Sequence, residues 1–193
     1  MKKMIYALML LAFSLASCAG PAATPVANTQ AVPIANGKIP AASFESQTYI
    51  NQTVGFALDY PTQWTVKESV TGQRGSQTLL LSAPEIADVA VVPEGATRIS
   101  INVNQWDPKN DLAAYVETRK TAWSASGFTI EETEPVTLDL GLAAVRITVQ
   151  TPEGVTVPFL FAALNDQYLT ISGEGDITLV KEIMQRLRPV SVQ

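Results

Sequence analysis

Oxygen-bearing side chains come close together in the segment 107–111, where Asp107, Asn110 and Asp111 precede an apolar run. Carboxylate and amide oxygens are the ligands that Ca²⁺ takes in proteins, so these three residues are candidates for a metal site. The segment differs from an EF-hand loop because Lys109 stands at a ligand position and no closing glutamate follows. A helix cap at Asn110 or Asp111 explains the same residues without a metal. We therefore predict neither a bound metal nor a cofactor.

A second group of acidic residues, Glu131, Glu132 and Glu134, alternates along a predicted strand. Paired carboxylates can perform acid–base catalysis, and a hydrolase of this kind needs two acids about 5 to 9.5 Å apart in a cleft. Asp107 and Asp139 are the other acids that could complete such a pair. A solvated strand edge, whose charge discourages pairing with another sheet, is the interpretation that the pattern favours.

The chain contains no histidine and only one cysteine. Histidine is the commonest general base and the commonest metal ligand, so Ser-His-Asp and Cys-His mechanisms and the usual zinc and copper sites are excluded. Carboxylate, lysine or tyrosine chemistry and an oxygen-ligand calcium site remain open. With no catalytic constellation recognisable among these residue types, we predict that the protein is not an enzyme.

The elements that position these residues are mostly strands. Alternating or continuous apolar runs bounded by turn residues predict eight strands, over 56–60, 64–70, 78–81, 98–104, 129–138, 144–151, 155–163 and 167–172. Two apolar stripes at helical spacing predict helices over 112–123 and 177–187, the second capped by Asp176. Short turns between successive strands, among them Asn165-Asp166, favour an antiparallel sheet. The fold class is therefore α+β, with each helix packed on the sheet.

The N-terminus starts with Met1-Lys2-Lys3, continues with an apolar run over 4–13, and reaches Leu15-Ala16-Ser17-Cys18. A basic start, a short apolar segment and small residues are typical of an export signal. The run is shorter than the roughly 20 residues that a membrane span needs. The last four residues resemble the lipobox cut by lipoprotein signal peptidase. The resemblance implies removal of 1–17 and a lipid-modified Cys18 that holds the protein at the extracytoplasmic side of a bacterial membrane.

Removal of 1–17 takes away Lys2 and Lys3, which changes the formal net charge from −5 to −7, with 11 basic and 18 acidic residues. An acidic chain without a basic cluster is a poor partner for nucleic acid or for anionic lipid headgroups, so anchoring depends on acyl chains. Residues 18–47 are rich in Ala, Pro and Thr and show no apolar period, which predicts a disordered linker. Residues 48–193 are long enough for one folded domain.

The start of this domain resembles the PsbP-like family in the phrase Tyr49-Ile-Asn51 followed by Gly55-Phe56-Ala-Leu58-Asp-Tyr60-Pro61-Thr-Gln-Trp64. That family includes the extrinsic PsbP subunit of photosystem II and bacterial lipoprotein relatives. The resemblance implies an antiparallel sheet with helices on both faces, an α/β/α sandwich. It does not carry over a photosynthetic role, because nothing else in the chain points to photosynthetic partners.

Together these features predict a lipid-anchored extracytoplasmic binding or assembly module that contacts an envelope protein through the sheet face or loops. The alternative is a solute- or cation-binding lipoprotein with a small cleft. A hydrolase that uses carboxylates alone is a third hypothesis, and it requires the acids at 107, 131, 132, 134 and 139 to meet in a cleft.

Overall fold

A computed structural model describes residues 41–71, 76–105 and 111–191, and the elements below are those of these ranges. The described strands and helices follow one another as β1 (Ser46–Asn51), β2 (Phe56–Pro61), β3 (Thr65–Thr71), β4 (Ser76–Ser82), β5 (Arg98–Gln105), α1 (Leu112–Ala125), β6 (Thr129–Thr137), β7 (Ala143–Gln150), β8 (Thr156–Leu164), β9 (Gln167–Glu174), α2 (Ile177–Gln185) and β10 (Arg188–Pro189). Short 3₁₀ turns lie at Pro84–Ile86 and Asp139–Gly141.

The strands form two antiparallel sheets. The larger sheet has seven strands in the order β3-β4-β5-β9-β8-β7-β6, and the smaller has three in the order β1-β2-β10. The predicted turn at Asn165-Asp166 joins β8 to β9, with Leu164 opposite Gln167. Both turn residues have positive φ, 47° and 59°, the left-handed geometry that matches the twist of a tight hairpin. The described chain is thus mostly antiparallel sheet with two helices.

One face of the larger sheet packs against α2 and the smaller sheet. Alternate residues of β8 and β9, such as Leu160 and Ile171, join Val180 and Ile183 of α2 in the main core. α2 approaches β9 so closely that a Cβ at Gly173 would lie 2.4 Å from Cγ1 of Val180. A side chain at 173 would therefore push the helix away from the sheet.

The opposite face packs against α1 through aromatic rings. Trp123 of α1 lies 4.4 Å from the ring of Phe159, and Tyr115 stacks on Tyr168 at 4.1 Å, measured between ring centroids. Because strand side chains alternate between faces, Phe161 lies on the α1 side while Leu160 lies on the α2 side. Helices on both faces agree with the predicted layers, except that the α2 side also carries the three-stranded sheet.

Each of the eight predicted strands and both predicted helices is present, with ends within two residues of prediction. The prediction did not include β1 or β10, and the linker predicted over 18–47 extends too far. Its last two residues, Ser46 and Gln47, belong to β1. The side-chain amide of Gln47 donates to the backbone oxygens of Thr62, at 3.1 Å, and Trp64, at 2.9 Å. Polar bonds of this kind leave no apolar period in the sequence, which is why the boundary was misplaced.

The predicted signal peptide, Cys18 and the linker up to residue 40 lie outside the described residues. Within the ranges that the structure describes, no helix has both the length and the apolar character needed to cross a membrane.

Candidate functional site

Charged side chains gather at the C-terminal end of α2, and several of them are largely buried. The helix ends at Gln185, Arg186 is its C-cap, and the chain then pairs with β2 through β10. Arg186 is only 6% exposed, which is rare for an arginine, and such a residue must be paired. A positive charge at the C-cap also interacts favourably with the negative end of the helix dipole.

Arg188 forms the first ion pair of the cluster. β10 lies antiparallel to β2, with Arg188 opposite Ala57. This pairing places the guanidinium of Arg188 near the carboxylate of Asp59, two residues further along β2. The Nη2 atom of Arg188 donates to Oδ1 of Asp59 at 2.8 Å, and both side chains are largely buried. The hydroxyl of Thr48 in β1 donates to the same oxygen at 2.6 Å. The pair thus joins all three strands of the smaller sheet.

Arg186 links α2 to two distant parts of the chain. Its Nη2 atom donates to the backbone oxygen of Ala41 at 2.8 Å and to Oε1 of Glu182 at 3.3 Å. Its Nη1 atom lies 3.9 Å from Oδ2 of Asp139, and both side chains of this second pair are at most 7% exposed. Glu182 also accepts hydrogen bonds from the backbone N–H and the hydroxyl of Ser43, at 2.7 and 2.5 Å.

The three carboxylates of the cluster differ in their pKa. Burial raises the pKa of Asp139, and the opposing charges of Arg186 and Arg188 do not cancel this effect. Burial alone would also raise the pKa of Asp59. The hydrogen bonds from Arg188 and Thr48 and the two nearby guanidinium charges outweigh burial and lower this pKa below its ordinary value. The pKa of Glu182 is lowered in the same way, because the bonds from Ser43 and Arg186 outweigh its burial.

The geometry of the cluster is suited to holding the N-terminal segment of the domain against α2. Each of Asp59, Asp139 and Glu182 faces an arginine, and Asp139 and Glu182 share Arg186. Residues 41 and 43 are held to α2, and β1 continues directly from them along β2. The segment 41–51 is therefore attached at a defined place beside the end of α2. We call Asp59, Asp139, Glu182, Arg186 and Arg188 the charged cluster.

Of the three residues considered for metal binding, only Asp111 belongs to the described part of the chain, where it caps α1. Oδ1 of Asp111 accepts a hydrogen bond from the backbone N–H of Ala114 at 2.8 Å, which is the helix cap that the sequence offered as the alternative. Asp107 and Asn110 lie outside the described residues. Within the described ranges, no group of three or more acidic, histidine or cysteine side chains is placed to hold a metal.

The acidic residues of β6 and Asp139 lie in different environments. Glu131 and Glu132 are exposed on this edge strand, beside an irregularity in its pairing with β7. Glu134 lies opposite Arg146, with Oε1 3.3 Å from Nε. Asp139, by contrast, is buried against Arg186. The structure thus places Asp139 with Asp59 and leaves the glutamates on the sheet edge.

Sequence reasoning did not identify the arginine pairing. The sequence singles out Asp139 as an acid and includes Asp59 only in the PsbP-like phrase, and it predicts an arginine partner for neither. Asp59 and Arg188 are separated by 129 positions, and no local pattern connects residues so far apart. The one available signal was the pair of arginines between an apolar helix and Pro189.

Comparisons with known proteins bear on the fold. No protein-family model matches this chain, and no curated protein matches it. The solution structure of cyanobacterial PsbP (CyanoP) from Synechocystis sp. PCC 6803 is similar to it, with a TM-score of 0.55 at 13% sequence identity. The similarity covers 80% of this chain and 98% of that one. At this identity the likeness concerns the fold alone. The described part of the chain therefore has a PsbP-like fold, as the resemblance in the sequence predicted.

Proposed function

We propose that this protein is a lipid-anchored, extracytoplasmic module that binds or helps assemble an envelope protein and is not an enzyme. The observation that carries the proposal is the attachment of residues 41–51 beside the end of α2 by Arg186, Glu182 and β1 pairing. The chain therefore joins the folded domain at a fixed point, directly after the linker that the sequence predicts.

The proposed anchor is Cys18, at which acyl chains replace the signal peptide. Between Cys18 and Ala41 there are 22 residues, which reach at most about 75 Å when fully extended. The domain is therefore confined to a shell around the membrane surface but has room to meet a large envelope protein. Two or more acyl chains anchor a protein stably, whereas one chain binds only marginally.

The absence of an enzymatic role is supported by the side chains that the chain offers. It has no histidine, and its cysteine is committed to the proposed lipid. The buried carboxylates face arginines, and Asp111 is used in a helix cap. A formal net charge of −7 after processing disfavours nucleic acid as a partner, so a protein is the partner that we propose.

The anchor is tested by replacing Cys18 in the full chain, expressed in its bacterial host with radiolabelled palmitate. The wild type is expected to carry label and to sediment with membranes, whereas Cys18→Ser carries no label. The matched control Ser14→Ala changes the same signal outside the last four residues and should be labelled like the wild type. Equal membrane retention and equal N-terminal processing of Cys18→Ser and wild type would contradict the proposal.

Calcium binding, the alternative considered from the sequence, is tested by melting the purified domain with calcium and with a chelator. A ligand that binds only the folded state raises the melting temperature. We expect equal melting temperatures, because the Asp111 oxygen already accepts the cap hydrogen bond. A rise in calcium alone would favour the cation-binding alternative.

A further inference from the structure

The connection between β4 and β5 is long for an antiparallel sheet and exposes an apolar tip. It runs over residues 83–97 and contains a single 3₁₀ turn. Val91, near its middle, is 80% exposed, against 55% for Val155 and 54% for Ile50, the other exposed large apolar residues of the described ranges. Connections of this length within a compact domain are commonly functional.

Contacts hold this loop in place at residues 86–89, before its tip, and at Thr97, which follows the tip and is 8% exposed. Ile86 is 6% exposed and anchors the first half in the protein. Asp88 forms an ion pair with Lys67 of β3. Arg98, at the start of β5, donates from Nη1 to the backbone oxygen of Val89 at 2.7 Å. Val91 is therefore presented by a largely preorganised backbone, which lowers the entropy cost of binding a partner.

The loop and the N-terminal attachment lie at opposite ends of α2. The N–H of Asp176, the N-cap of α2, donates to the hydroxyl of Thr97 at 3.0 Å. At the other end of the helix, Arg186 donates to Ala41. Ten residues of helix rise by about 15 Å, which separates the loop from the point where the chain arrives. If the anchor lies at Cys18, the loop is on the side of the domain remote from the attachment.

The surroundings of Val91 are acidic. Glu85, Asp88 and Glu94 are all exposed in the same loop, and Lys67 is the partner of one of them. Anionic lipid headgroups would be repelled by this charge, so a bilayer is a poor match for the apolar tip. A protein surface with an apolar recess bordered by lysine or arginine side chains is complementary in both respects.

We infer that the 83–97 loop is the docking surface for the envelope partner, with Val91 entering an apolar recess and Glu85 and Glu94 facing basic residues. The inference rests on the proposed function for the location of the protein. It adds to that function the surface of this chain that binds the partner and the chemistry of the partner's surface.

The test places a photo-crosslinking amino acid at position 91 in the full chain in its host, and, as the matched control, at Val155. Val155 is also an exposed valine in a connection between two strands. Position 91 is expected to give a discrete adduct whose crosslinked peptide combines apolar residues with lysine or arginine, and position 155 is expected to give none. With this protein and the crosslinked partner both purified, Val91→Ser should weaken the binding between them by about tenfold, as expected for a central contact. The substitution should leave the melting temperature of this protein unchanged.

Three outcomes would overturn the inference: adducts of equal yield from both positions, an adduct with a second copy of this chain, or an adduct with lipid. Glu85→Gln together with Glu94→Gln should reduce the adduct from position 91, and an unchanged yield would also count against it. Palmitate labelling of Cys18 is scored in the same cells. A labelled protein that gives no adduct at position 91 rejects the docking surface and leaves the proposed anchor standing.

Discussion

Two groups of acidic residues in this domain share a chemistry and differ in their environment. In the charged cluster, Asp59, Asp139 and Glu182 are wholly or partly withdrawn from water and face Arg186 or Arg188. On the edge strand β6, Glu131 and Glu132 are exposed. An acidic residue therefore acquires a structural role in this domain through burial and pairing, and its position in a pattern of acids does not reveal this role.

The energetic difference follows from solvation. Removing one partner of a buried ion pair leaves the other charge in a medium that solvates it poorly, which is strongly destabilising. An exposed carboxylate keeps its water and interacts weakly with its neighbours. The two groups should therefore respond very differently to the same kind of substitution, and four experiments test this difference.

The largest effect is expected for Arg186→Met. It removes the guanidinium that faces Asp139 and Glu182, and we expect a loss of about 3 to 5 kcal/mol in the free energy of unfolding. Urea denaturation measures this as a lower midpoint with an unchanged m-value. Arg119→Met is the matched control, because Arg119 is an exposed residue of α1. Equal midpoints for the two variants would contradict the structural importance of the charged cluster.

Asp59→Asn tests the pair with Arg188. Loss of a charge-assisted hydrogen bond should cost about 1.5 to 3 kcal/mol at neutral pH. The pKa of Asp59 is lowered in the folded state, so its contribution is present above the ordinary value of 3.8 and is lost as the pH falls through the folded-state pKa. The stability difference between wild type and variant should therefore shrink in acid. A difference that is constant between neutral pH and pH about 3 would show that the carboxylate charge is not responsible.

Asp139→Asn should give a smaller effect with the opposite pH dependence. The pKa of Asp139 is raised, so the folded chain binds its proton at a higher pH than the unfolded chain. Its favourable contribution is fully present below 3.8 and is lost as the pH rises through the folded-state pKa. Stability curves of wild type and variant, measured by urea denaturation across this range, should diverge in favour of the wild type as the pH falls. Parallel curves would mean that burial does not raise this pKa.

The smallest effect is expected on the sheet edge. Glu131→Gln with Glu132→Gln should change the free energy of unfolding by no more than about 0.5 kcal/mol per residue, because both side chains are exposed. The same urea experiment measures it. A loss comparable to that of Arg186→Met would remove the distinction between the two groups of acids.

Regular elements were the part of the fold that local patterns predicted well. The alternation Ile99, Ile101, Val103 identified β5, and these side chains are all buried in the main core. The apolar residues at helical spacing over 177–187 likewise identified α2. β1 was missed because Gln47 and backbone bonds hold it, and β10 was missed because two residues carry no periodic signal.

Periodicity, turn residues and helix caps in the sequence determine the layered α+β fold and its PsbP-like resemblance, because these signals arise between residues close in the chain. The absence of histidine and the motif at Cys18 likewise belong to composition and local order. Which acids are buried, and which arginine each one faces, was decided by tertiary structure. Asp59 meets Arg188, and Arg186 meets Ala41, only because β10 pairs with β2 and α2 packs on the sheet. Contacts between such distant positions follow from packing, which has no period along the chain.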